Sequence, residues 1–547
     1  MYDYVIVGSG FGGSVSAMRL AEKGYSVLML ERGKRYRDKD YASTNWLVWK
    51  YLWLPALRCF GILQLSWFRD VLVLHGSGVG GGSLGYANVL MQPDEKLFDN
   101  PSWKHLQDWK TILEPHFKTG RAMLGVATNP SYWPADTLLK EIAAELGTED
   151  TFQPTEVGVF FGQDGDELGK EVGDPYFGGE GPARNTCRQC GGCMVGCRYN
   201  SKNTLDKNYL YFAEKWGAEI IAEAHVHDVR PLPADQPDGA RYEVAYHRST
   251  AWLIKPEKKV RARNVILSAG ALGTMELLFR CRDVTRSMPK ISQRLGSMVR
   301  TNSESLLGAS SHNWKTNYSE GIAITSIFQA DKATAIEPVR YPKGSSLMRF
   351  LSGPLIETGG GFLKRFLIFL GKAIFRPVDL FCTHILPGWA ERTTIFLIMQ
   401  TEDNRLHMRL GRSLLTLFRL RLVSLPDEEN SIPRMIGIGH KVTRDFARRI
   451  RGTPAGSFNE SLFNTPVTAH ILGGCPFGKD DQEGVIDLDC QVHHYPGLYV
   501  VDGTIMPANP GVNPSLTITA LAEYAMSRVP PKDGARVRPS MKGKVIS

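Results

Sequence analysis

The sequence predicts an α/β protein: a Rossmann-like domain with a parallel sheet, carrying an inserted α+β domain. Three observations predict it. An apolar run at the N-terminus passes straight into a glycine-rich turn, further glycine-rich turns flanked by apolar runs recur far downstream, and long aromatic-rich stretches separate them.

The opening "MYDYVIVGSGFGG" is read element by element. Tyr4-Val5-Ile6-Val7 suits a buried parallel strand and leads into Gly8, Gly10 and Gly13, spaced G-x-G-x-x-G, with Gly12 inside the same turn. Ser14 to Lys23 carries helix formers and stops at Gly24, and Tyr25 to Leu30 is a second apolar strand ending on Glu31. This is a complete βαβ dinucleotide unit: Gly8 permits the tight turn, Gly10 lets backbone approach a pyrophosphate, Gly13 lets helix and strand pack, and Glu31 can accept hydrogen bonds from a ribose.

Composition limits the classes that remain. A chain of 547 residues, 43% hydrophobic and 22% charged, can bury a large core in two linked domains. The excess of 65 Lys+Arg over 56 Asp+Glu, a net +9, is mild for this size and lacks the dense basic patch of a nucleic-acid binder. An anionic membrane surface is the better candidate partner. No window of about 18 residues is apolar and free of charge, so no bilayer span is expected. The chain enters its first strand without a signal-like segment, and nine cysteines, four of them within eleven residues, do not read as a secreted disulfide framework. The expectation is a cytoplasmic protein, with peripheral contact at the inner membrane face.

Four segments, "HGSGVGGGSLGYANVLM" (75–91), "NVILSAGALGTMELL" (264–278), "TAHILGGCPFG" (468–478) and "LYVVDGTIMPANPGVNPSLTITALAE" (498–523), together resemble the glucose-methanol-choline (GMC) oxidoreductase family, in the family's order. The likeness spans nearly the whole chain and is strongest to the bacterial sterol oxidases, the mycobacterial cholesterol-oxidase-like branch. It implies FAD and oxidation of a hydroxyl group on a bulky hydrophobic alcohol by hydride transfer to flavin. The domains expected are a discontinuous FAD-binding domain over 1–100, 181–299 and 456–530, a substrate domain over 101–180 and 300–455, and a flexible tail over 531–547.

The residues themselves bear on these implications. Gly80-Gly81-Gly82-Ser83 offers backbone that can approach a ring or phosphate, and Asn88 adds amide groups. Asp502-Gly503, after the strand Leu498 to Val501, resembles the family's FAD-contacting segment, and Asn513-Pro514 leads into a helix beginning near Ser515, whose N-terminal dipole favours negative charge. Val226 is similar to the position whose backbone holds adenine in relatives. His470 and Asn513 match the family's catalytic pair: a histidine to take up the hydroxyl proton and an amide to donate to the substrate oxygen. Sterol oxidases of this family that also isomerise a double bond use a substrate-domain carboxylate. Glu304 and Glu337 are the candidates, each also readable as half of a structural ion pair.

Two features stand outside that pattern. "FLKRFLIFLGKAIFRP" (362–377) is a basic amphipathic segment suited either to a membrane surface or to a buried lid, with "WLVWKYLWLPALRCFGILQLSWF" (46–68) as an aromatic neighbour. "CRQCGGCMVGC" places Cys187, Cys190, Cys193 and Cys197 at the C-x2-C-x2-C-x3-C spacing that holds iron–sulfur clusters, with Arg198 where proline usually follows. An iron–sulfur cluster (3Fe-4S or 4Fe-4S) passing electrons to a redox partner is the leading expectation; structural zinc, metal-free thiols and local disulfides compete with it. If no cluster forms, an oxygen-using oxidase is expected, and a flavin-dependent lyase or a lipid-binding protein on the same fold completes the alternatives.

Overall fold

A computed structural model of the chain describes residues 1–163 and 165–544. The opening unit is a strand Tyr2–Val7, a helix Phe11–Glu22 and a strand Val27–Leu30. The helix starts three residues before Ser14, because the residues after Gly10 already follow helical geometry. All twelve of its residues are buried, so it is a core element and not a surface one.

These strands belong to a seven-stranded sheet in the order Glu219–Ile221, Val27–Leu30, Tyr2–Val7, Lys258–Leu267, Tyr242–Arg248, Ala224–Pro231, with Leu498–Val500 also pairing with Lys258–Leu267. Tyr2–Val7 lies parallel to both of its neighbours, with Val5 opposite Leu28 on one side and Val265 on the other. Parallel pairing buries both faces of the strand, which is why the run YVIV shows no polar alternation. Residues 2–30, 219–267 and 498–500 thus meet in one sheet although long stretches of chain separate them.

A second sheet of seven strands has the order Ser352–Pro354, Gly452–Ser457, Ser305–Ser311, Thr393–Gln400, Thr334–Val339, Ser326–Gln329, Gln153–Pro154, antiparallel throughout. The helix Gly437–Arg449 covers it, and Val442 and Phe446 pack against Leu307, Phe396 and Ile398. The Phe396 and Phe446 rings meet edge to face at 5.0 Å, and each buried ring contributes about 2 kcal/mol.

Two segments differ from expectation, and a third, open between a membrane surface and a buried lid, turns its apolar face outward. Residues 103–126, expected in the substrate domain, pack into the core of the first sheet: the helix Trp109–Met123 lies against Ser515–Ser527, where Gly120 allows close approach to Leu516 and Thr519. The segment expected as a flexible tail runs along the first domain instead. Lys532 N donates to Lys23 O, Arg538 N to Glu22 O and Lys544 N to Tyr176 O; residues 545–547 lie outside the described residues.

The third is the helix Phe362–Phe375, which is inverted. Arg365 is its only buried residue and donates to the carbonyls of Ile356, Thr358, Glu460 and Ser461, while Lys372 reaches Leu355 O. Phe362, Leu363, Leu367, Ile374 and Phe375 face outward. Among the described residues, no helix is long and apolar enough to cross a membrane.

Candidate active site

Where the first sheet ends, its loops form a cradle. Gly8 has φ +97°, and a Cβ there would strike the Ser268 carbonyl, so only glycine fits. A Cβ on Gly10 would meet nothing within 4 Å, which leaves its backbone open to an incoming group. The Glu31 carboxylate accepts from Ser9 N at 3.1 Å, Ser9 Oγ at 2.7 Å and Gly33 N at 2.7 Å. It therefore braces the turn and keeps lone pairs for a further donor. Ser9 Oγ in turn accepts from Gly80 N at 3.1 Å, tying the second glycine loop to the first. In that loop Gly81, Gly82 and Ser83 form a short 3-10 turn, with Ser83 Oγ donating to Gly80 O and accepting from Leu205 N.

Asn88 is buried at φ +72°, and neither of its amide atoms has a hydrogen-bond partner. An unpaired buried amide costs about 1–3 kcal/mol, so this cradle is built for a polar occupant. Val226 is buried in the adjoining strand, with its backbone opposite Tyr246. Asp502 accepts from Thr274 Oγ1 at 2.6 Å and Thr504 N at 2.9 Å, bracketing the turn at Gly503, and burial raises its carboxyl above the usual range. Asn513 and Pro514 immediately precede the helix Ser515–Ser527. These residues fit a flavin dinucleotide: open glycine backbone at the first turn and a helix N-terminus after Asn513-Pro514.

The structure then assembles a group that the sequence only partly disclosed. His470 follows the strand Val467–Thr468, which pairs with Leu72–Gly76. Its Nδ1 lies 3.1 Å from Oε2 of Glu304, a carboxylate with no solvent exposure that also accepts from Thr468 Oγ1 and Ala469 N. Asn302 joins the segments of His470 and Asn513: its Nδ2 is 3.4 Å from His470 Nδ1 and donates to Val512 O at 3.0 Å, while its Oδ1 accepts from Gly511 N. The sequence offered no sign of Asn302, whose φ of +54° is the only local mark of its special position.

Glu337, on the strand Thr334–Val339, is fully buried and neither oxygen has a hydrogen-bond partner. Burial pushes its carboxyl up to about 8; the neighbouring Asn513 amide offsets part of the rise and the Glu304 carboxylate adds to it. The ion-pair alternative is thereby corrected for Glu337 alone, since Glu304 does pair with a side chain. Among the described residues no cation meets Glu337, and the partner of Glu304 is the His470 ring.

Beside this group lies an apolar cavity walled by Leu72, Leu74, Leu306, Met348, Trp389 and Val467. Leu306 is two residues from Glu304, and Val467 three from His470.

The cysteine loop requires a correction. Among the described residues, no group of three or more His, Cys, Asp or Glu side chains converges to hold a metal ion, so Cys187, Cys190, Cys193 and Cys197 form neither an iron–sulfur nor a zinc ligand set. Gly191 N donates to Gly321 O and Gly321 N to Gln189 O, which draws the middle of the loop onto the second domain. Beneath it the buried Lys202 ammonium donates to the carbonyls of Leu84, Tyr86 and Cys193, and burial lowers it to about 7. Burial also raises the thiols of Cys187 and Cys193 and pushes Cys190 up to about 11, which favours protonated cysteines over thiolates.

Comparison with known proteins agrees with this geometry. Residues 182–295 and 441–522 match the family profiles for GMC oxidoreductases, and residues 6–36 that for an NAD(P)-binding Rossmann-like domain. A cholesterol oxidase of Acinetobacter baumannii is 45% identical over 533 residues, covering 97% of this chain and 95% of that protein. A cholesterol oxidase of Mycobacterium tuberculosis (strain ATCC 25618 / H37Rv) is 45% identical over 545 residues, covering 98% and 93%. Among solved structures, an FAD-dependent oxidoreductase from Chaetomium thermophilum superposes with a TM-score of 0.59 at 15% identity, covering 96% of this chain and 98% of that one, a likeness of fold.

Proposed function

This chain belongs to the GMC oxidoreductase family as an FAD-dependent alcohol oxidoreductase, and from that premise we propose that its substrate is the ring hydroxyl of a sterol or a similarly bulky hydrophobic alcohol. The observation that carries this reading is the 3.1 Å contact between the solvent-closed Glu304 carboxylate and Nδ1 of His470, with an apolar cavity lined by Leu306 and Val467 from the same two segments. Its relatives named cholesterol oxidase support the same substrate class.

FAD, when bound in the cradle, supplies the acceptor for the hydride. The chain's own residues do the rest. The apolar walls bind the alcohol body and exclude water. Asn513 donates to the substrate oxygen and orients the carbinol carbon. Glu304, closer to Nδ1 of His470 than the Asn302 amide and charged, holds the ring with its proton on that nitrogen, so Nε2 is free to take the hydroxyl proton. Oxygen is the electron acceptor on this reading, in keeping with the relatives named cholesterol oxidase. The outward apolar face of Phe362–Phe375 supports contact with a lipid surface from which such a substrate enters.

A second step is favoured by Glu337. When oxidation leaves a ketone next to an unconjugated double bond, a carboxylate can take the proton from the carbon between them and return it at the far end, moving the bond into conjugation with no net change of atoms. A buried, unpaired carboxyl with a pKa near 8 beside Asn513 suits that transfer. The whole reading is tested by anaerobic addition of sterols, steroids and long-chain alcohols. Flavin bleaching confined to soluble short alcohols would overturn it.

A further inference from the structure

On the outer side of the first domain, Lys34, Lys50 and Arg58 line a pocket of about 400 Å3 together with Tyr36, Trp49 and Phe60. It is separate from the flavin cradle, since neither the Gly8–Gly13 turn nor Glu31 nor Asp502 lines it. Its lining is net positive. Arg35 and Asp40 also border it, but Arg35 is paired with Glu214 and Asp40 with Arg37, whereas among the described residues Lys34, Lys50 and Arg58 meet no carboxylate. The Lys34 ammonium instead lies 4.8 Å above the Phe60 ring, and the Arg58 guanidinium 5.4 Å from the Trp252 ring.

That second contact joins the pocket to the loop between the strands Tyr242–Arg248 and Lys258–Leu267. The tip of this loop, Trp252-Leu253-Ile254, is 69%, 84% and 82% exposed. Trp49 and Leu57 are exposed beside the pocket as well. Three unpaired cations ringed by projecting apolar side chains match an interface where phosphates lie just above hydrocarbon.

We propose that this pocket receives the phosphate headgroup of an anionic phospholipid in a bilayer, with Trp49, Leu57 and residues 252–254 entering the interface around it. The proposal rests on the reading of a lipid-borne substrate and adds that anionic lipid selects the membrane. The test is co-sedimentation of the FAD-loaded protein with vesicles of phosphatidylcholine alone and of phosphatidylcholine with about one quarter phosphatidylglycerol. The expected result is binding to the anionic vesicles at least about tenfold tighter, a preference lost in the triple variant K34Q/K50Q/R58Q. The triple variant should keep its FAD and its rate of flavin reduction by detergent-dissolved sterol, an assay that fails only if the substrate reading fails.

Equal binding of the native protein to both vesicles would overturn the proposal without need of any variant. So would loss of FAD from the triple variant, which would assign the pocket to the cofactor. Inorganic phosphate, added at the lipid phosphate concentration and releasing the native protein, would make it a soluble-anion site and overturn the proposal likewise. Leu253→Ser with Ile254→Ser should weaken binding to both vesicles equally.

Discussion

Oε2 of Glu304 lies 3.1 Å from Nδ1 of His470, and the carboxylate is closed to solvent. A carboxylate at one imidazole nitrogen decides which tautomer the other presents. The ring is thus prepared before substrate arrives.

Glu304→Gln should therefore keep FAD and fold while slowing flavin reduction by about tenfold to a hundredfold, because the amide no longer fixes the proton on Nδ1. Stopped-flow reduction across a pH series checks this. KM should change little, and the pH dependence of reduction should move, which a merely structural residue would not bring about.

His470→Ala and Asn513→Ala should each yield yellow, FAD-loaded protein whose flavin is reduced about a hundredfold more slowly or worse. Substrate affinity should change less, since the apolar cavity supplies the binding. Near-normal reduction in both variants would remove the pair from the mechanism.

Glu337 gives a pH signature. Its folded pKa, raised by burial to about 8 from the ordinary 4.5, means the folded state holds a proton that the unfolded state releases. Its contribution to stability is full below about 4.5 and is lost as pH rises through about 8. Tm measured against pH should fall over that window in the native protein, and more shallowly in Glu337→Gln. If Glu337 moves the double bond, the same variant should release the unconjugated ketone, seen as loss of enone absorbance with flavin reduction retained.

The cysteine loop predicts a negative metal result. Protein made anaerobically with ample iron should contain FAD but no stoichiometric iron or zinc, and oxygen should reoxidise its reduced flavin directly. Iron at two or more atoms per chain with a matching paramagnetic signal would restore the cluster.

Much of the first domain was legible because its signals are local. The spacing of Gly8, Gly10 and Gly13 fixes a turn, YVIV fixes a buried strand, and the Asn513-Pro514 turn announces the helix at Ser515. Glu304 and Asn302 were not legible as partners of His470, because strand order in the second sheet brings them there and no spacing records it. The inverted helix at 362–375 hid for a similar reason. Its pattern shows an apolar and a basic face, but the carbonyls of Glu460 and Ser461 that hold Arg365 inward lie far off in sequence. The cysteine spacing was legible, but the backbone pairing of Gln189 and Gly191 with Gly321, which ties the loop to the second domain, is invisible in the motif.

The proposed reaction is oxidation of a sterol hydroxyl by hydride delivery to the flavin. The most direct measurement is anaerobic mixing of the FAD-loaded protein with detergent-dissolved cholesterol, following flavin absorbance and product together. The account predicts that the flavin bleaches and that one ketone forms for each flavin reduced. Ketone without bleaching, or a flavin that stays yellow with cholesterol while a small soluble alcohol bleaches it, would contradict the account.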